Sequence, residues 1–397
     1  MQRLQQLFEK GARVVCGLMS GTSLDGVDAA VARVSGSGRE LACEPLGFTS
    51  RPYPRALKEA LLDNSAPETS SVQALSQLNV RVAHVYAEAV RAAAEETDLP
   101  GGAEGLDLIG SHGQTVHHVP ELEDWAGRAV RSSLQIGDPS VLANLAGVPV
   151  VGDFRLADMA RGGQGAPLVP YFDYVLFASR EETRGMLNLG GIANLTVLPA
   201  GAPASETYAF DTGPADMVID TLMDRLFDAP YDEDGALAAE GTVQRGLLEE
   251  IVAEDDYFDR PPPKSTGRER YGAAYAEALL RRGEGLSARD LMATATALTA
   301  RSVHLAYEQF VREKHPFDTL IVSGGGVWNR ALMRMLEQEF ADVAVRTSSH
   351  YGIDSDAKEA LCWAVFAHET INGRPVNLPT VTGAECATLL GKVCVPA

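Results

Sequence analysis

The sequence predicts an α/β protein of two lobes, and three glycine-rich turns that each follow an apolar strand support this prediction. The first turn lies between the apolar runs 12–18 and 27–34, which are typical of the two strands of a hairpin. Residues 187–198 are again a strand, a glycine turn and a strand, and the strand before Gly324 ends in three glycines. Two similar hairpins in one chain indicate duplicated lobes.

The first turn has the composition of a phosphate-binding loop. Gly21 and Gly26 allow backbone angles at which amide groups converge, and Ser20, Thr22 and Ser23 add hydroxyl donors. Asp25 and Asp28 carry the oxygen ligands that magnesium prefers. The alternative is a polar hairpin whose glycines serve only for turning. Because the second hairpin and the glycine triplet occur in the same chain, we favour a two-lobed nucleotide clamp, in which the triplet lies against the adenosine.

Length, charge and cysteine content limit the class of protein. The chain has 397 residues, more than one core usually supports, so we expect two domains. A net charge of −20 argues against nucleic acid and against an anionic membrane surface. The 5 cysteines lack zinc spacing, which is typical of free thiols in a reducing cytosol. The start of the chain lacks a signal peptide pattern and no apolar run approaches the roughly 20 residues of a membrane helix, so we predict a cytoplasmic protein.

The rest of the chain alternates between strand and helix patterns. Predicted strands cover 41–49, 106–110, 133–137, 148–152 and 207–210, and predicted helices cover 72–96, 139–145, 171–178, 215–227, 288–312 and 354–368. The segment 378–397 is apolar enough to pack back onto the first half.

Three further segments carry candidate functional residues. The strand 106–110 delivers His112 and Gln114 in a loop at its carboxyl end, where open α/β sheets place ligand groups. These loop residues are either ordinary polar side chains or contacts to a polar substrate, and no carboxylate at suitable spacing supports a metal site. Residues 153–168 are either a flexible interdomain loop or a hinge facing the cleft, and 254–270 are either a surface loop or a lid.

Asp211 stands at the end of a predicted strand and directly before a predicted helix. A carboxylate there points into a cleft and stays ionised near the positive end of the helix dipole. The alternative is a carboxylate that only caps the helix.

Blocks spread along the chain resemble the anhydro-N-acetylmuramic acid kinase family. They follow the family's order and are residues 19–28, 112–115, 135–137, 153–155, 162–170, 189–195, 210–214, 264–269, 323–326 and 381–384. The resemblance implies a two-lobed actin-like ATPase (ribonuclease H-like) fold with a central nucleotide cleft. The first lobe would be 1–155, with 375–397 packing back on it, and the second lobe 156–374.

The resemblance also implies an activity. The family opens the 1,6-anhydro ring of anhydro-N-acetylmuramic acid and phosphorylates O6 with ATP, giving N-acetylmuramic acid 6-phosphate in peptidoglycan recycling. ATP and Mg²⁺ would be the cofactors, and a small anhydrosugar would be the partner, without nucleic acid or membrane. A homodimer is left open.

Site residues follow from the matched blocks and from the patterns above. Asp211 matches the catalytic aspartate of the family, and Asp25 is the candidate for holding Mg²⁺ through water. Candidate sugar contacts are His112, Gln114, Arg155 and Glu359. The candidate nucleotide-binding residues are Gly21, Thr22, Ser23, Leu24, Asp25, Gly26, Val27, Asp28, Gly190, Gly191, Asn194, Gly324, Gly325, Gly326 and Asn329.

One block departs from the family. Relatives usually continue the aspartate motif as Gly-Pro-Gly-Asn, whereas this chain has Gly213-Pro214-Ala215-Asp216. The change leaves the sugar open, since related levoglucosan kinases share much of the pattern. An ordinary sugar kinase and a non-enzymatic actin-like ATPase also stay open, although the sequence indicates no separate peptide-binding domain and no helix-turn-helix.

Overall fold

The computed structural model of the chain describes residues 2–397 and forms two compact units. Unit 1 comprises residues 1–176 and 357–397, and unit 2 comprises residues 177–356. These bounds differ from the predicted lobe boundaries, which follow residues 155 and 374. The division into functional lobes at those two positions stays a prediction.

Strands and helices are numbered in chain order. The strands are β1 (Ala12–Ser20), β2 (Gly26–Ser35), β3 (Ala42–Pro52), β4 (Leu108–Trp125), β5 (Arg128–Ile136), β6 (Val150–Gly152), β7 (Arg184–Leu189), β8 (Ile192–Leu198), β9 (Tyr208–Pro214), β10 (Thr319–Ser323), β11 (Ala344–Thr347) and β12 (Lys392–Cys394). The helices are α1 (Gln2–Glu9), α2 (Arg55–Asp63), α3 (Val72–Glu96), α4 (Pro139–Ala146), α5 (Arg155–Met159), α6 (Val169–Phe177), α7 (Asp216–Phe227), α8 (Ala236–Glu240), α9 (Arg245–Glu254), α10 (Arg268–Tyr271), α11 (Ala273–Arg282), α12 (Ala288–Phe310), α13 (Arg330–Glu339), α14 (Lys358–Ile371) and α15 (Pro379–Thr382). Between residues 2 and 397, no helix combines the length and apolarity that crossing a lipid bilayer requires.

Unit 1 is built on a mixed sheet in the order β12-β6-β4-β1-β2-β3, with β5 paired to β4. The pairs β1–β2 and β2–β3 are antiparallel, whereas β1–β4 and β4–β6 are parallel. The chain's last strand, β12, adds antiparallel to β6.

Unit 2 repeats the arrangement of the inner strands of unit 1. Its sheet has the order β11-β10-β7-β8-β9, in which β7–β8 and β8–β9 are antiparallel and β7–β10 and β10–β11 are parallel. In both units a three-stranded antiparallel meander is thus extended by parallel strands on the side of its first strand. The predicted α/β fold of duplicated, ribonuclease H-like lobes is confirmed.

Glycines let α14 lie directly on the centre of the sheet of unit 1. A Cβ atom placed on Gly17 of β1 would stand 1.8 Å from the backbone oxygen of Ala360, and one on Gly110 of β4 would stand 1.9 Å from that of Trp363. Both distances are far below van der Waals contact, so these two strand positions accept no side chain. The helix whose first turn holds the candidate residue Glu359 is therefore fixed closely over both strands.

Polar caps explain where several helices begin. The side chains of Ser71, Asp138, Ser287 and Asn329 accept hydrogen bonds from backbone N–H groups in the first turns of α3, α4, α12 and α13. The bounds predicted for α3 agree with the structure. Helix α13 begins at Arg330 after a 3₁₀ turn, and the helix predicted over 354–368 begins at Lys358.

The loop predicted over 111–118 is wrong, because these residues belong to β4. This strand continues from the sheet into a hairpin with β5, where its outer residues are exposed and polar. His112 and Gln114 accordingly lie on a strand next to β1, not in a loop.

Candidate functional site

In unit 1, the turn between β1 and β2 is tied to strand β4. The Nε2 of Gln114 donates to the backbone oxygen of Gly21 over 3.0 Å, and the hydroxyl of Tyr53 donates to Oε1 of Gln114 over 3.1 Å. The hydroxyl of Ser20 is hydrogen-bonded to that of Tyr86. Gln114 was predicted as a sugar contact; its observed partners are the first glycine turn and the residue that follows β3, so it shapes this turn directly.

The predicted nucleotide-binding residues of this turn differ in exposure. Thr22, Ser23 and Asp25 are exposed, whereas the side chains of Leu24 and Val27 are buried in the core of unit 1. The side chains of these two residues are therefore not available to a ligand.

The explanation that Gly21 and Gly26 supply unusual backbone angles is wrong. Neither has a positive φ; Leu24 does, at 57°. Gly26 is required for a different reason, because a Cβ atom there would lie 2.1 Å from the backbone oxygen of Arg51 on the neighbouring strand.

Asp25 is an exposed carboxylate whose Oδ1 lies 2.8 Å from Nζ of Lys58. Burial opposes its ionisation, but hydrogen bonds from Lys58 and Ser23 outweigh burial and lower the pKa of Asp25. Among residues 2–397, no group of three or more His, Cys, Asp and Glu side chains could hold a metal. Mg²⁺ in phosphate-transferring sites needs only one or two carboxylates beside the phosphates, so the oxygen chemistry of Asp25 fits such an ion.

Arg155 holds His112 in one tautomer. The Nε and Nη2 atoms of Arg155 lie 3.1 and 2.8 Å from Nε2 of His112, and Nη1 donates to the backbone oxygen of Gly165 over 2.7 Å. A guanidinium has no acceptor, so Nε2 of His112 accepts and Nδ1 carries the proton. Burial, with the positive charge of Arg155, lowers the pKa of His112 well below its usual value, so the ring is neutral. Its Nδ1 is buried without a hydrogen-bond partner among the described residues.

Glu359 belongs to the same charged region of unit 1. Burial raises the pKa of Glu359, with Asp28 and Asp173 adding to the effect and Lys358 and Arg155 opposing it. Burial lowers the pKa of Arg155 to about 10, and Glu359 is the largest opposing charge. The structure thus brings three of the four predicted sugar contacts, His112, Arg155 and Glu359, into one electrostatic group.

Asp158 orders the segment that was predicted as a flexible loop or hinge. Its carboxylate is fully buried; Oδ1 accepts from Nδ2 of Asn377 and from the hydroxyl of Thr382, both over 2.7 Å, and Oδ2 accepts from the N–H of Gly165 over 2.8 Å. The flexible-loop interpretation is wrong, because 153–168 contains α5 and is bonded to the segment after α14. Since Gly165 also accepts from Arg155, Asp158 helps to fix the partner of His112.

In unit 2, the second glycine turn and the glycine triplet pack against each other. Gly324 has φ 87°, and a Cβ atom placed on it would lie 2.4 Å from the backbone oxygen of Leu189, next to Gly190 and Gly191. Asn194 stands opposite Asp211 in the β8–β9 register. Asn329, predicted to bind the nucleotide, is almost buried and caps α13 by accepting from the N–H of Leu332.

Asp211 lies within β9 and does not cap the next helix, whose N-cap is Ala215. Its Oδ2 accepts from the backbone N–H of Thr266 over 2.9 Å, its own N–H donates to the backbone oxygen of Lys264, and its backbone oxygen accepts from the hydroxyl of Tyr257. Burial raises the pKa of Asp211 to about 6; the Thr266 N–H and Lys264 oppose this rise, and Glu269 adds to it. A carboxylate with this pKa is suited to accept a proton near neutral pH.

Lys264 and Thr266 were not among the predicted site residues, although their block matches the family pattern. The ammonium of Lys264 lies 4.7 Å from the ring centre of Tyr257 and 4.9 Å from that of Phe310. Burial lowers the pKa of Lys264 to about 8. Loop 261–267 therefore lies against Asp211. Its run of prolines is the feature of the sequence that indicates an ordered rather than a solvated loop.

Comparisons with known proteins show which family the chain resembles. A family model described as "Anhydro-N-acetylmuramic acid kinase" matches residues 13–396. A protein of that name from Salinibacter ruber is 56% identical over 398 residues, covering 100% of both chains. Proteins of the same name from Caldanaerobacter subterraneus subsp. tengcongensis and Bacillus cereus are 42% and 39% identical, covering 99% and 96% of this chain and 100% and 99% of their own.

Proposed function

The chain belongs to the anhydro-N-acetylmuramic acid kinase family, and from this premise we propose that it uses ATP to open and phosphorylate anhydro-N-acetylmuramic acid. The product is N-acetylmuramic acid 6-phosphate, formed for peptidoglycan recycling. The reaction would take place in the cytoplasm, where ATP is available and where the free cysteines of the chain are stable.

The observation that carries this proposal is the environment of Asp211. Its carboxylate is partly buried, is held by the Thr266 N–H over 2.9 Å, and has a pKa raised to about 6, mainly by burial. Such a group is ionised at neutral pH but basic enough to take a proton from water.

One base is sufficient for the reaction, because the opening of the anhydro ring and the transfer of the phosphoryl group are linked. Asp211 takes a proton from a water molecule that attacks the anomeric carbon of the sugar. The bond between the anomeric carbon and the bridging O6 breaks, and O6 keeps the electron pair. This oxygen attacks the γ-phosphorus of ATP, and ADP leaves. The overall change consumes one water and one ATP and releases one proton.

Charge on the phosphates is met by the glycine turns and by Mg²⁺. Backbone N–H groups at Gly21–Gly26 and Gly190–Gly191 and the hydroxyls of Thr22 and Ser23 are the proposed phosphate donors. Mg²⁺ would neutralise phosphate charge, and Asp25 would hold it through water. The roles of Asn194, Gly324–Gly326 and Asn329 toward the nucleotide, and of His112, Gln114, Arg155 and Glu359 toward the sugar, stay predictions.

Mass spectrometry with ¹⁸O-labelled water tests the proposal. The protein is incubated with anhydro-N-acetylmuramic acid, ATP and Mg²⁺, and with levoglucosan in a parallel reaction. We expect a phosphorylated amino sugar that carries one ¹⁸O at the anomeric oxygen and none in the phosphate. Label in the phosphate, or transfer to levoglucosan alone, contradicts the proposal.

The matched variants are Asp211→Asn and Asp228→Asn. The first keeps an oxygen that accepts from Thr266 but loses the base, so turnover should fall by about 10²–10⁴-fold or more while ADP still binds. Asp228 follows α7 at the protein surface and should leave turnover unchanged. Near-normal turnover of Asp211→Asn would exclude Asp211 as the base.

A further inference from the structure

The carboxylate of Asp216 faces the glycine triplet of unit 2. Asp216 is the first residue of α7, and its N–H donates to the backbone oxygen of Gly190 over 3.0 Å. A Cβ atom placed on Gly326 would lie 3.1 Å from its Oδ1, and one placed on Gly325 would lie 3.5 Å from its Oδ2. Asp216 therefore joins the second glycine turn to the triplet, and its two oxygens lie against Gly326 and Gly325.

This carboxylate accepts no hydrogen bond and forms no ion pair among the residues whose side chains the structure describes. Burial raises the pKa of Asp216 well above its usual range, and the negative charge of Asp220, one helical turn later, raises it further. Asp216 is half-buried, and a carboxylate that loses part of its water without gaining a donor is costly, although the N-terminus of α7 offsets part of the cost. A ligand that brings a hydroxyl donor would supply the missing interaction.

An exposed aromatic ring follows the same triplet. The indole of Trp328 is 58% exposed, and its Nε1 donates to Oδ1 of Asp356 over 3.2 Å, which fixes the orientation of the ring. Exposed flat rings are suited to stacking against a nucleobase. The triplet is therefore bordered by a hydrogen-bond acceptor and followed by an exposed ring, which are the kinds of group that contact the ribose and the base of a nucleoside.

We propose that Asp216 determines nucleotide specificity by accepting a hydrogen bond from a ribose hydroxyl of the bound adenine nucleotide. This inference rests on the proposed function, since it assumes that unit 2 binds the adenosine part of ATP. The carboxylate would repel a phosphate group, whereas a ribose diol offers hydroxyl donors to it. Acidic residues accept hydrogen bonds from ribose hydroxyls in this way in dinucleotide-binding folds. An asparagine at this position would present both a donor and an acceptor. A carboxylate selects more strictly for a ligand that brings a hydroxyl donor.

Calorimetric titration of ADP, 2′-deoxy-ADP and 3′-deoxy-ADP, each with Mg²⁺, tests the inference without any sugar. We expect the wild-type protein to bind ADP at least about 10-fold more tightly than one of the two deoxy analogues, because a hydrogen bond to an otherwise unpaired acceptor is lost. In Asp216→Ala, the affinity for ADP should fall to the affinity for that analogue, whereas the affinity for the analogue should not change. Asp216→Asn should keep part of the preference.

The matched control is Asp224→Ala, a carboxylate that is exposed on the same helix and paired with Arg225. It should retain the full preference for ADP. Thermal unfolding of each variant verifies that it is folded. Equal wild-type affinities for the three nucleotides overturn the inference, and so does a loss in Asp216→Ala that is equal for all three nucleotides or confined to the Mg²⁺ dependence.

The titration separates the failure of this inference from the failure of the proposed function. Discrimination of ribose with no phosphoryl transfer to the anhydrosugar would leave the role of Asp216 intact and remove the function. Phosphoryl transfer without ribose discrimination would do the reverse. A protein that binds none of the three nucleotides would overturn both.

Discussion

The backbone N–H of Thr266 donates to Oδ2 of Asp211 over 2.9 Å, although 55 residues separate the two in the chain. This bond places the loop that carries Lys264, and with it the first turn of α10, which contains Glu269, against the proposed base. Both charges act on Asp211, and they act in opposite directions: Lys264 lowers its pKa and Glu269 raises it. Burial thus raises the pKa of Asp211, and these two charges adjust the pH range over which the base is available.

The pH profile of turnover should show this control. Since Asp211 must be ionised to accept a proton and its pKa is about 6, activity should fall as the pH drops below about 6. Lys264→Met removes a stabilising positive charge and should move this acid limb to higher pH. Glu269→Gln removes a negative charge and should move it to lower pH. Steady-state rates from pH 5 to 9 measure both shifts, and limbs that move in the same direction would contradict the assignment.

The same carboxylate should cost the protein stability. The folded state holds the Asp211 proton up to about pH 6 while the unfolded chain releases it near 3.8, so stability is lost as the pH rises between these values. Asp211→Asn avoids the loss and should raise the free energy of unfolding at pH 7 by up to about 3 kcal/mol. Denaturant unfolding at pH 4 and pH 7 is the measurement. The gain should nearly vanish at pH 4; a gain of equal size at both values would point to another cause.

The hydrogen bonds of Asp158 should be worth a measurable part of the stability of unit 1. Thr382→Val removes one donor from a fully buried carboxylate with little change in shape, and we expect a loss of about 1–3 kcal/mol. Thr388→Val, in which the lost hydroxyl bonds only to Cys386, should cost less. Urea titration of the two variants compares them. If Thr382→Val is as stable as the wild type, Asp158 does not depend on this bond.

The contact of α14 with the sheet gives a steric prediction. Gly110→Ala would place a Cβ atom 1.9 Å from the backbone oxygen of Trp363, so the helix must move, at a cost of about 1–3 kcal/mol or more. Gly246 lies in α9 with no atom within 4 Å of an added Cβ, and Gly246→Ala should be neutral or stabilising by up to about 1 kcal/mol. Thermal unfolding of both variants is the readout, and equal effects would mean that α14 is free to move away from β4.

Much of the fold could be predicted because its signals are local. Ser71 and the apolar spacing of α3 define that helix, and the two glycine hairpins indicated the duplicated sheets. The strand β4 was underestimated because polar residues such as His112 and Gln114 interrupt its apolar pattern where it is buried, and because its outer half, near Trp125, pairs only with β5. The alternation that marks a half-buried strand is weak where both faces meet water.

The candidate site was predicted less completely, because its contacts join distant parts of the chain. Asp211 and Arg155 could be selected from their motifs, but nothing local to Asp158 indicates that Asn377 and Thr382 complete its hydrogen bonds. The departure at Asp216 was visible in the sequence as a substitution. Only the structure shows that its carboxylate lies against Gly325 and Gly326 and lacks a donor.

The interrupted course of unit 1 along the chain has a consequence for biosynthesis. Residues 177–356 form unit 2 without interruption, so a ribosome releases them as a segment that already contains all of its sheet. The sheet of unit 1 is covered only after α14, the partners of Asp158 and β12 have been synthesised, because these elements come last in the chain. We therefore expect the second unit to be complete before the first during translation, so that the nascent N-terminal strands stay uncovered for longer and are open to aggregation in the meantime.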